Sequence, residues 1–149
     1  MHPRTILCAT DFTPTGEAAL REAIGLARRF DARVHVVRVA TLQPQATTLD
    51  PSHASSAALQ LGQRQEVAQA DLDRLLGSID APDVEIDGEV RVGEAVPGIL
   101  GAAEDSGADL IVLGTRGRTG LQRFLSANTA EKIVRHADVP VLAVPAPNQ

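Results

Sequence analysis

Three glycines recur at every third position near the carboxyl end of the chain, at Gly114, Gly117 and Gly120. Three arginines stand among them or just after them, namely Arg116, Arg118 and Arg123. An apolar run of a length suited to a buried parallel strand comes before them, and a helical pattern comes after. A strand, a glycine-rich loop and the amino end of a helix together receive an anion on backbone N–H groups. The spacing therefore predicts a phosphate-binding loop.

The charge of the chain is unevenly distributed. The 149 residues carry a formal net charge of −5, which argues against non-specific binding to nucleic acid. Between Gly114 and Arg135, however, five cationic side chains stand against one acid, Glu131. An acidic protein with a basic glycine loop is typical of a protein that binds a small anion. A loop whose arginines are merely solvated is the alternative interpretation.

Strand and helix patterns alternate along the chain, and these are the elements that must position the loop. Apolar runs predict strands at 4–9, 33–39, 84–92, 110–113 and 139–144. Apolar residues at helical spacing predict helices at about 14–30, 57–78 and 94–106, and a fourth that starts at Ala127-Asn128. Asp31 and Gly107 are placed to end the first and third helices. The polar residues between Ala40 and Ala57 predict a surface loop or lid.

This alternation predicts the fold class. Strands and helices in turn, with no internal repeat and no linker, indicate one α/β domain over residues 1–149. We expect an open, Rossmann-like, five-stranded parallel sheet whose right-handed crossovers place helices on both faces. Ligands of such sheets bind beyond the carboxyl ends of the strands, where the strand order reverses. The loops after the first and fourth strands are the natural pair to flank that crevice, and they hold Asp11 and the glycine loop.

Other nucleotide-binding classes fit the motifs less well. The chain has neither the G-x-G-x-x-G of dinucleotide-binding proteins nor the G-K-[ST] of a P-loop, so a standard NTPase is not indicated. A receiver domain needs a lysine near the fifth strand, and the one lysine, Lys132, falls within the predicted fourth helix. Thr13-Pro14-Thr15-Gly16 faintly resembles the phosphate loop of a flavodoxin, but the chain has no Trp or Tyr to stack on a flavin.

The motifs do not indicate catalysis or metal binding by side chains. The four histidines show no ligand spacing, and there is no G-x-S-x-G nucleophile elbow or acid–base pair. The single cysteine, Cys8, lies inside the first predicted strand, where we expect a buried hydrophobic role. No apolar run is long enough to span a bilayer, and no secretory signal precedes the first strand. These features predict a cytoplasmic protein.

The glycine motif and its flanks resemble those of a known family. Gly114-x-x-Gly117 is followed by nine residues and then by Ala127-Asn128 at the start of a helix. Thr10-Asp11 follows the first strand, and the last helix and strand read EKIVRHADVPVLAVP. In these features the chain is similar to the universal stress protein family, which is marked by G-x-x-G, nine residues and then G-[ST]. The resemblance runs from Thr5 to Pro145.

The resemblance implies an adenine-nucleotide site that takes ATP, or ADP or AMP, with Mg²⁺ carried by the phosphates. Asp11 would accept hydrogen bonds from the ribose hydroxyls, and Val39 would contact the base. Gly114 and Gly117 would let the backbone approach the phosphates. The site residues that the resemblance implies are Ala9, Thr10, Asp11, Val39, Leu113, Gly114, Arg116, Gly117, Arg118, Ala127, Asn128 and Thr129. At most a slow hydrolysis of ATP would follow, because no catalytic base can be named.

Two positions depart from the family pattern. Ala127 replaces a glycine and adds a Cβ where the family permits close approach. Asn128 replaces Ser or Thr, and we expect it to cap the helix, paired with Glu131 as in a capping box. Two functions therefore stay open. One is a sensor or regulatory module of the stress response that binds an adenine nucleotide, and the other is a dimeric family member that binds none and acts through protein partners.

The last predicted strand, 139–144, is strongly apolar. The resemblance places it at an edge of the sheet, where an uncovered apolar strand invites aggregation. It also implies a homodimer built on this strand, and a regulatory protein partner that the sequence does not identify. A strand that is apolar because it lies in the core is the competing interpretation, and both can hold.

Overall fold

The computed structural model describes residues 1–11, 14–40, 51–115 and 127–145. Its strands are β1 (Thr5–Ala9), β2 (Arg33–Ala40), β3 (Ile86–Val92), β4 (Leu110–Gly114) and β5 (Val141–Val144). Its helices are α1 (Pro14–Phe30), α2 (Pro51–Ser78), α3 (Ala95–Ser106) and α4 (Ala127–His136). Strands and helices alternate throughout these ranges, as the sequence predicts.

The described strands form one parallel sheet in the order β3-β2-β1-β4-β5. From β1 the chain moves outward to β3 on one side, then crosses over and moves outward from β4 to β5 on the other. The strand order therefore reverses between β1 and β4. One face of the sheet is covered by α1 and α2, and the other by α3 and α4. The predicted fold class is confirmed.

Alternation along the strands divides the core into two layers. Ile6 and Cys8 of β1 pack with the α1 and α2 side chains, while Leu7 and Ala9 pack with those of α3 and α4. All four are inaccessible to solvent. Because Cys8 is enclosed, burial raises the pKa of its thiol to about 12. Cys8 is thus the buried hydrophobic residue that its position predicts.

Gly98 lets α3 lie close to the sheet. A Cβ built on it would stand 2.8 Å from Cγ2 of Val39. Any larger residue would push the helix away from β2. The predicted helix ends are also confirmed, since Asp31 has a φ of 55° and Gly107 a φ of 68°. Both values lie in the left-handed region that ends helices.

The start of α2 differs from the prediction. The helix begins at Pro51 instead of about residue 57. The sequence before Leu61 is mostly alanine, serine and glutamine, so it lacks the apolar periodicity that reveals a helix, although Pro51 suits a first helical position. The lid predicted between residues 40 and 57 is therefore partly helix, and its remainder, 41–50, lies outside the described residues. No helix in the described ranges combines the length and apolar character needed to cross a bilayer.

Three strands begin later than predicted, β1 by one residue, at Thr5 instead of Arg4. β3 begins at Ile86 instead of Val84, because the Val84 amide donates to the Ala81 carbonyl oxygen at 3.1 Å and closes a turn. β5 begins at Val141 instead of residue 139. Pro140 has no N–H to donate to a ladder, and only its carbonyl oxygen takes part, accepting from the Ile111 amide at 3.0 Å.

Candidate functional site

The crevice of the sheet opens where the strand order reverses. β1 ends at Ala9, which is paired with Val37 of β2 on one side and with Leu113 of β4 on the other. Gly114 continues β4 beyond this pair and is itself paired with Val144 of β5. The structure thus brings together Ala9, Thr10, Leu113 and Gly114, which the sequence assigned to one site. The side chains of Ala9 and Leu113 are fully buried and pack in the core layer beneath α3 and α4.

Thr10 and Asp11 rest against the first turn of α1. The Thr10 amide donates to the Val37 carbonyl oxygen at 3.0 Å, and the side chain is buried. A Cβ on Gly16 would stand 2.7 Å from Oγ1 of Thr10 and 2.9 Å from Oδ1 of Asp11. The absence of a side chain at Gly16 therefore lets these two oxygens lie where they do. No motif in the sequence assigns this role to Gly16, and a small residue in the first helical turn is the signal that the sequence offers for it.

Val39 is fully buried at the carboxyl end of β2, beneath Gly98 of α3. In a parallel strand, alternate residues direct their N–H and C=O groups to the same neighbour. The Val37 carbonyl accepts from Thr10, so the peptide groups of Val39 point to the β1 side of β2. The contact between Val39 and a base stays a prediction.

Arg38 is a functional candidate that the sequence analysis missed. Its side chain is partly buried at the carboxyl end of β2, and Nη1 donates to the Val39 carbonyl oxygen at 3.3 Å. Burial lowers the pKa of this guanidinium, while the negative charges of Asp11 and Asp71 act in the opposite direction. The available signal was an arginine between valines near the carboxyl end of the strand Arg33–Ala40.

The start of α4 corrects one prediction. The helix already includes Ala127, a residue of high helix propensity, so Asn128 is its second residue and not its N-cap. The capping pair with Glu131 does not form either. Oε1 of Glu131 accepts from Nη2 of Arg135 at 3.0 Å, one turn further along the helix. Asn128 is exposed and Thr129 is partly exposed, so both are accessible at the amino end of α4.

The phosphate end of the predicted site lies mostly outside the described residues. This holds for Arg116, Gly117 and Arg118, whose roles stay predictions. The last described residue before them, Thr115, donates its amide to the Val144 carbonyl oxygen at 2.8 Å, which ties the start of the loop to β5. In the described ranges, no three His, Cys, Asp or Glu side chains group as metal ligands.

Comparison with known proteins decides the family. A model described as the universal stress protein family matches residues 2–145. The chain belongs to this family. A universal stress protein of Methanocaldococcus jannaschii is 32% identical over 146 residues, which cover 98% of this chain and 84% of that protein. The predicted resemblance is therefore confirmed across nearly the whole chain.

Solved structures of universal stress proteins share the fold. The UspA protein of Lactobacillus plantarum matches 95% of this chain and 97% of its own, with a TM-score of 0.74 and 23% identity. A universal stress protein in complex with cAMP matches 99% of this chain and 100% of its own, with a TM-score of 0.59 and 20% identity. The universal stress protein of Archaeoglobus fulgidus in complex with dAMP matches 96% of this chain and 98% of its own, with a TM-score of 0.55 and 22% identity.

Proposed function

We propose that this universal stress protein binds an adenine nucleotide in the crevice between β1 and β4, and acts as a sensor or regulatory module of the stress response. One observation carries the proposal. The strand order reverses between β1 and β4, and Asp11 and Gly114 stand at the carboxyl ends of those two neighbouring strands. In open α/β sheets this is where ligands bind.

The groups around the crevice suit the three parts of a nucleotide. The base would lie at the carboxyl end of β2, beside Val39. The Asp11 carboxylate accepts hydrogen bonds from ribose hydroxyls, and its position beside Gly16 keeps it at the mouth of the crevice. The glycine and arginine motif after Gly114 supplies the groups that phosphates require. The family members in complex with cAMP and dAMP support the adenosine phosphate class as the ligand.

ATP with Mg²⁺ is the form that we propose. The phosphates themselves would carry the ion, as Mg²⁺ is commonly held in nucleotide sites. When bound, Mg²⁺ would neutralise part of the phosphate charge. The residues of this chain would bind and orient the nucleotide, and we assign no catalytic role to any of them.

The proposed assembly is a homodimer through β5. This strand forms an edge of the described sheet, and Leu142 is 38% exposed on it. Val134 of α4 is 57% exposed and adds apolar surface from the helix that precedes β5. A second copy that pairs along 141–144 would cover the open edge, which is how an apolar edge strand avoids aggregation. We also propose that the protein acts in the cytoplasm and binds a regulatory protein that is not identified.

The departure at Ala127 and Asn128 favours a second candidate function. A family member whose phosphate end had closed at these positions would bind no nucleotide and would act through protein partners alone. The two candidates differ in one measurable property, the affinity for ATP.

Titration calorimetry with ATP and Mg²⁺ tests the proposal. The protein is first stripped of bound nucleotide, and an Ala127→Gly, Asn128→Ser double variant that restores the family motif is titrated beside it. Micromolar binding by the wild type is the expected result. Binding by the double variant alone would show that the pocket survives while its phosphate end is closed. If neither protein binds ATP, the second candidate function, a family member that acts through protein partners alone, is supported instead.

A further inference from the structure

Arg38 occupies an unusual place for a charged side chain. It stands one residue beyond the Ala9–Val37 pair of β1 and β2, alongside Thr10 and Asp11. Its Nε is shielded from solvent, although the residue lies at the carboxyl end of its strand. Taking a guanidinium out of water is unfavourable unless anions and hydrogen-bond acceptors compensate it. A role for Arg38 must therefore be sought in the groups around it.

Those groups belong to the proposed nucleotide site on one side and to α2 on the other. In the described part of the chain, the negative charges that act on Arg38 are Asp11 and Asp71. The Asp71 carboxylate is also engaged on its own helix, since its Oδ1 accepts from Nη1 of Arg74 at 3.0 Å. Nη1 of Arg38 also donates to the Val39 carbonyl oxygen, at 3.3 Å.

We propose that Arg38 is a positioning residue of the nucleotide site. Its guanidinium holds the Asp11 carboxylate toward the ribose and, through the hydrogen bond to the Val39 carbonyl, fixes the carboxyl end of β2 beside it. This inference rests on the proposed function and names a residue of the site that the glycine motif does not contain. Arg38 acts through Asp11 and Val39 and need not touch the nucleotide.

The shape of the side chain matters as well as its charge. A guanidinium is planar and presents several fixed donors, so it can serve a carboxylate and a carbonyl at the same time. A lysine at this position would keep the charge near Asp11 but would offer a single ammonium on a flexible stem. A methionine would fill similar space with no charge and no donor. These two substitutions therefore separate the contribution of charge from that of geometry.

The test compares ATP with 2′,3′-dideoxy-ATP, which lacks both ribose hydroxyls. Affinities for the two nucleotides are measured by calorimetry with Mg²⁺ for the wild type, Arg38→Met, Arg38→Lys and Asp71→Asn. We expect the wild type to prefer ATP by roughly tenfold, as a hydrogen bond to a charged group warrants. In Arg38→Met that preference should fall toward one, because the Asp11 carboxylate is no longer held. Arg38→Lys should retain part of it.

Asp71→Asn is the control for a purely structural role. If Arg38 only ties β2 to α2, Arg38→Met and Asp71→Asn should lower the melting temperature by similar amounts. Each variant should then lose the same factor of affinity for ATP as for 2′,3′-dideoxy-ATP. An unchanged preference for ATP in Arg38→Met would overturn the inference and leave the proposed function standing. If the wild-type protein binds neither nucleotide, both this inference and the proposed function are overturned. If Arg38→Met fails to fold, full wild-type preference in Arg38→Lys would overturn the geometric role.

Discussion

The carboxylate of Asp109 accepts a hydrogen bond from the backbone amide of Arg4, with 2.8 Å between N and Oδ2. The same oxygen accepts from the Thr5 amide at 3.1 Å. Asp109 directly precedes β4 and Thr5 begins β1, so this contact joins the two strands at the amino end of the sheet. The crevice opens at the opposite end of the same pair. The strands that flank the candidate site are thus fastened to each other away from it.

This contact predicts a loss of stability in acid. The amides of Arg4 and Thr5 hold the pKa of Asp109 below its ordinary value of 3.8. The unfolded chain therefore binds this proton at a higher pH than the folded chain does. The stabilisation is present above the ordinary pKa and is lost as the pH falls through the folded one. Thermal melts from pH 7 to pH 3 should show Asp109→Asn about 1 kcal/mol less stable at pH 7, with a shallower loss below about pH 4.

Glu104→Gln is the matched control for that experiment, because it neutralises an exposed carboxylate on α3. It should follow the wild-type curve at every pH. Identical acid curves for Asp109→Asn and the wild type would show that this carboxylate does not contribute to the pH dependence.

Replacement of Gly98 by alanine should destabilise the fold. The new Cβ would stand 2.8 Å from Cγ2 of Val39, in a core with no free space for it. Overpacking of this kind costs about 1–3 kcal/mol, and each kcal/mol lowers the melting temperature of a chain of this size by about 2–4 °C. Gly62→Ala on α2 is the control, since its Cβ would meet nothing within 4 Å. It should raise stability by about 0.5–1 kcal/mol through helix propensity alone. If Gly98→Ala has the same melting temperature as Gly62→Ala, α3 does not pack closely against Val39.

The small residue at Gly16 should matter for binding more than for stability. A methyl group there would displace Oγ1 of Thr10 and Oδ1 of Asp11, which lie 2.7 Å and 2.9 Å from its Cβ position. We expect Gly16→Ala to weaken ATP binding about tenfold, the loss of one hydrogen bond to a charged group. Gly25→Ala lies on the same helix with open space around it, and its affinity should match that of the wild type. Equal affinities in the two variants would argue against a role for Asp11.

The edge strand β5 predicts the oligomeric state. Light scattering at micromolar concentration should give twice the chain mass for the wild type. Leu142→Lys places a charge on the exposed edge and should shift the mass toward that of a monomer. Leu59→Lys is the control, because Leu59 is 65% exposed on α2, away from β5. A wild-type monomer would end the homodimer proposal, and dissociation by both variants would place the interface elsewhere.

The sequence could predict the architecture because the central strands β1 and β4 are apolar on both faces. Runs such as Leu110–Gly114 leave no polar face to expose, and so they indicate a parallel sheet covered by helices. The location of the crevice then followed from the alternation, and Asp11 and Gly114 do lie at neighbouring strand ends. Local signals also located the stops at Asp31 and Gly107, because left-handed residues have a recognisable chemistry.

What the sequence could not predict depends on contacts between distant residues. Asn128 has the right chemistry for a cap, but the first helical residue is Ala127 instead of Thr129, and this shift of two residues removes a capping role. The close approach of Gly16 to Thr10 and Asp11 involves a strand end and a helix turn whose relative placement no spacing rule contains. Arg38 was missed for the same reason, because the charges that act on it come from β1 and α2.

The central position of β1 also sets the order in which the molecule can be completed. Thr5 meets Asp109 across 104 residues of chain, so the β4 side of β1 has no partner until most of the protein has been synthesised. At usual rates of translation that delay is on the order of 5–20 seconds. Throughout it, a strand with no polar side chain between Ile6 and Ala9 presents an unpaired edge. The nascent chain is therefore most prone to aggregate before β4 leaves the ribosome, and a chaperone that shields β1 would act in that interval.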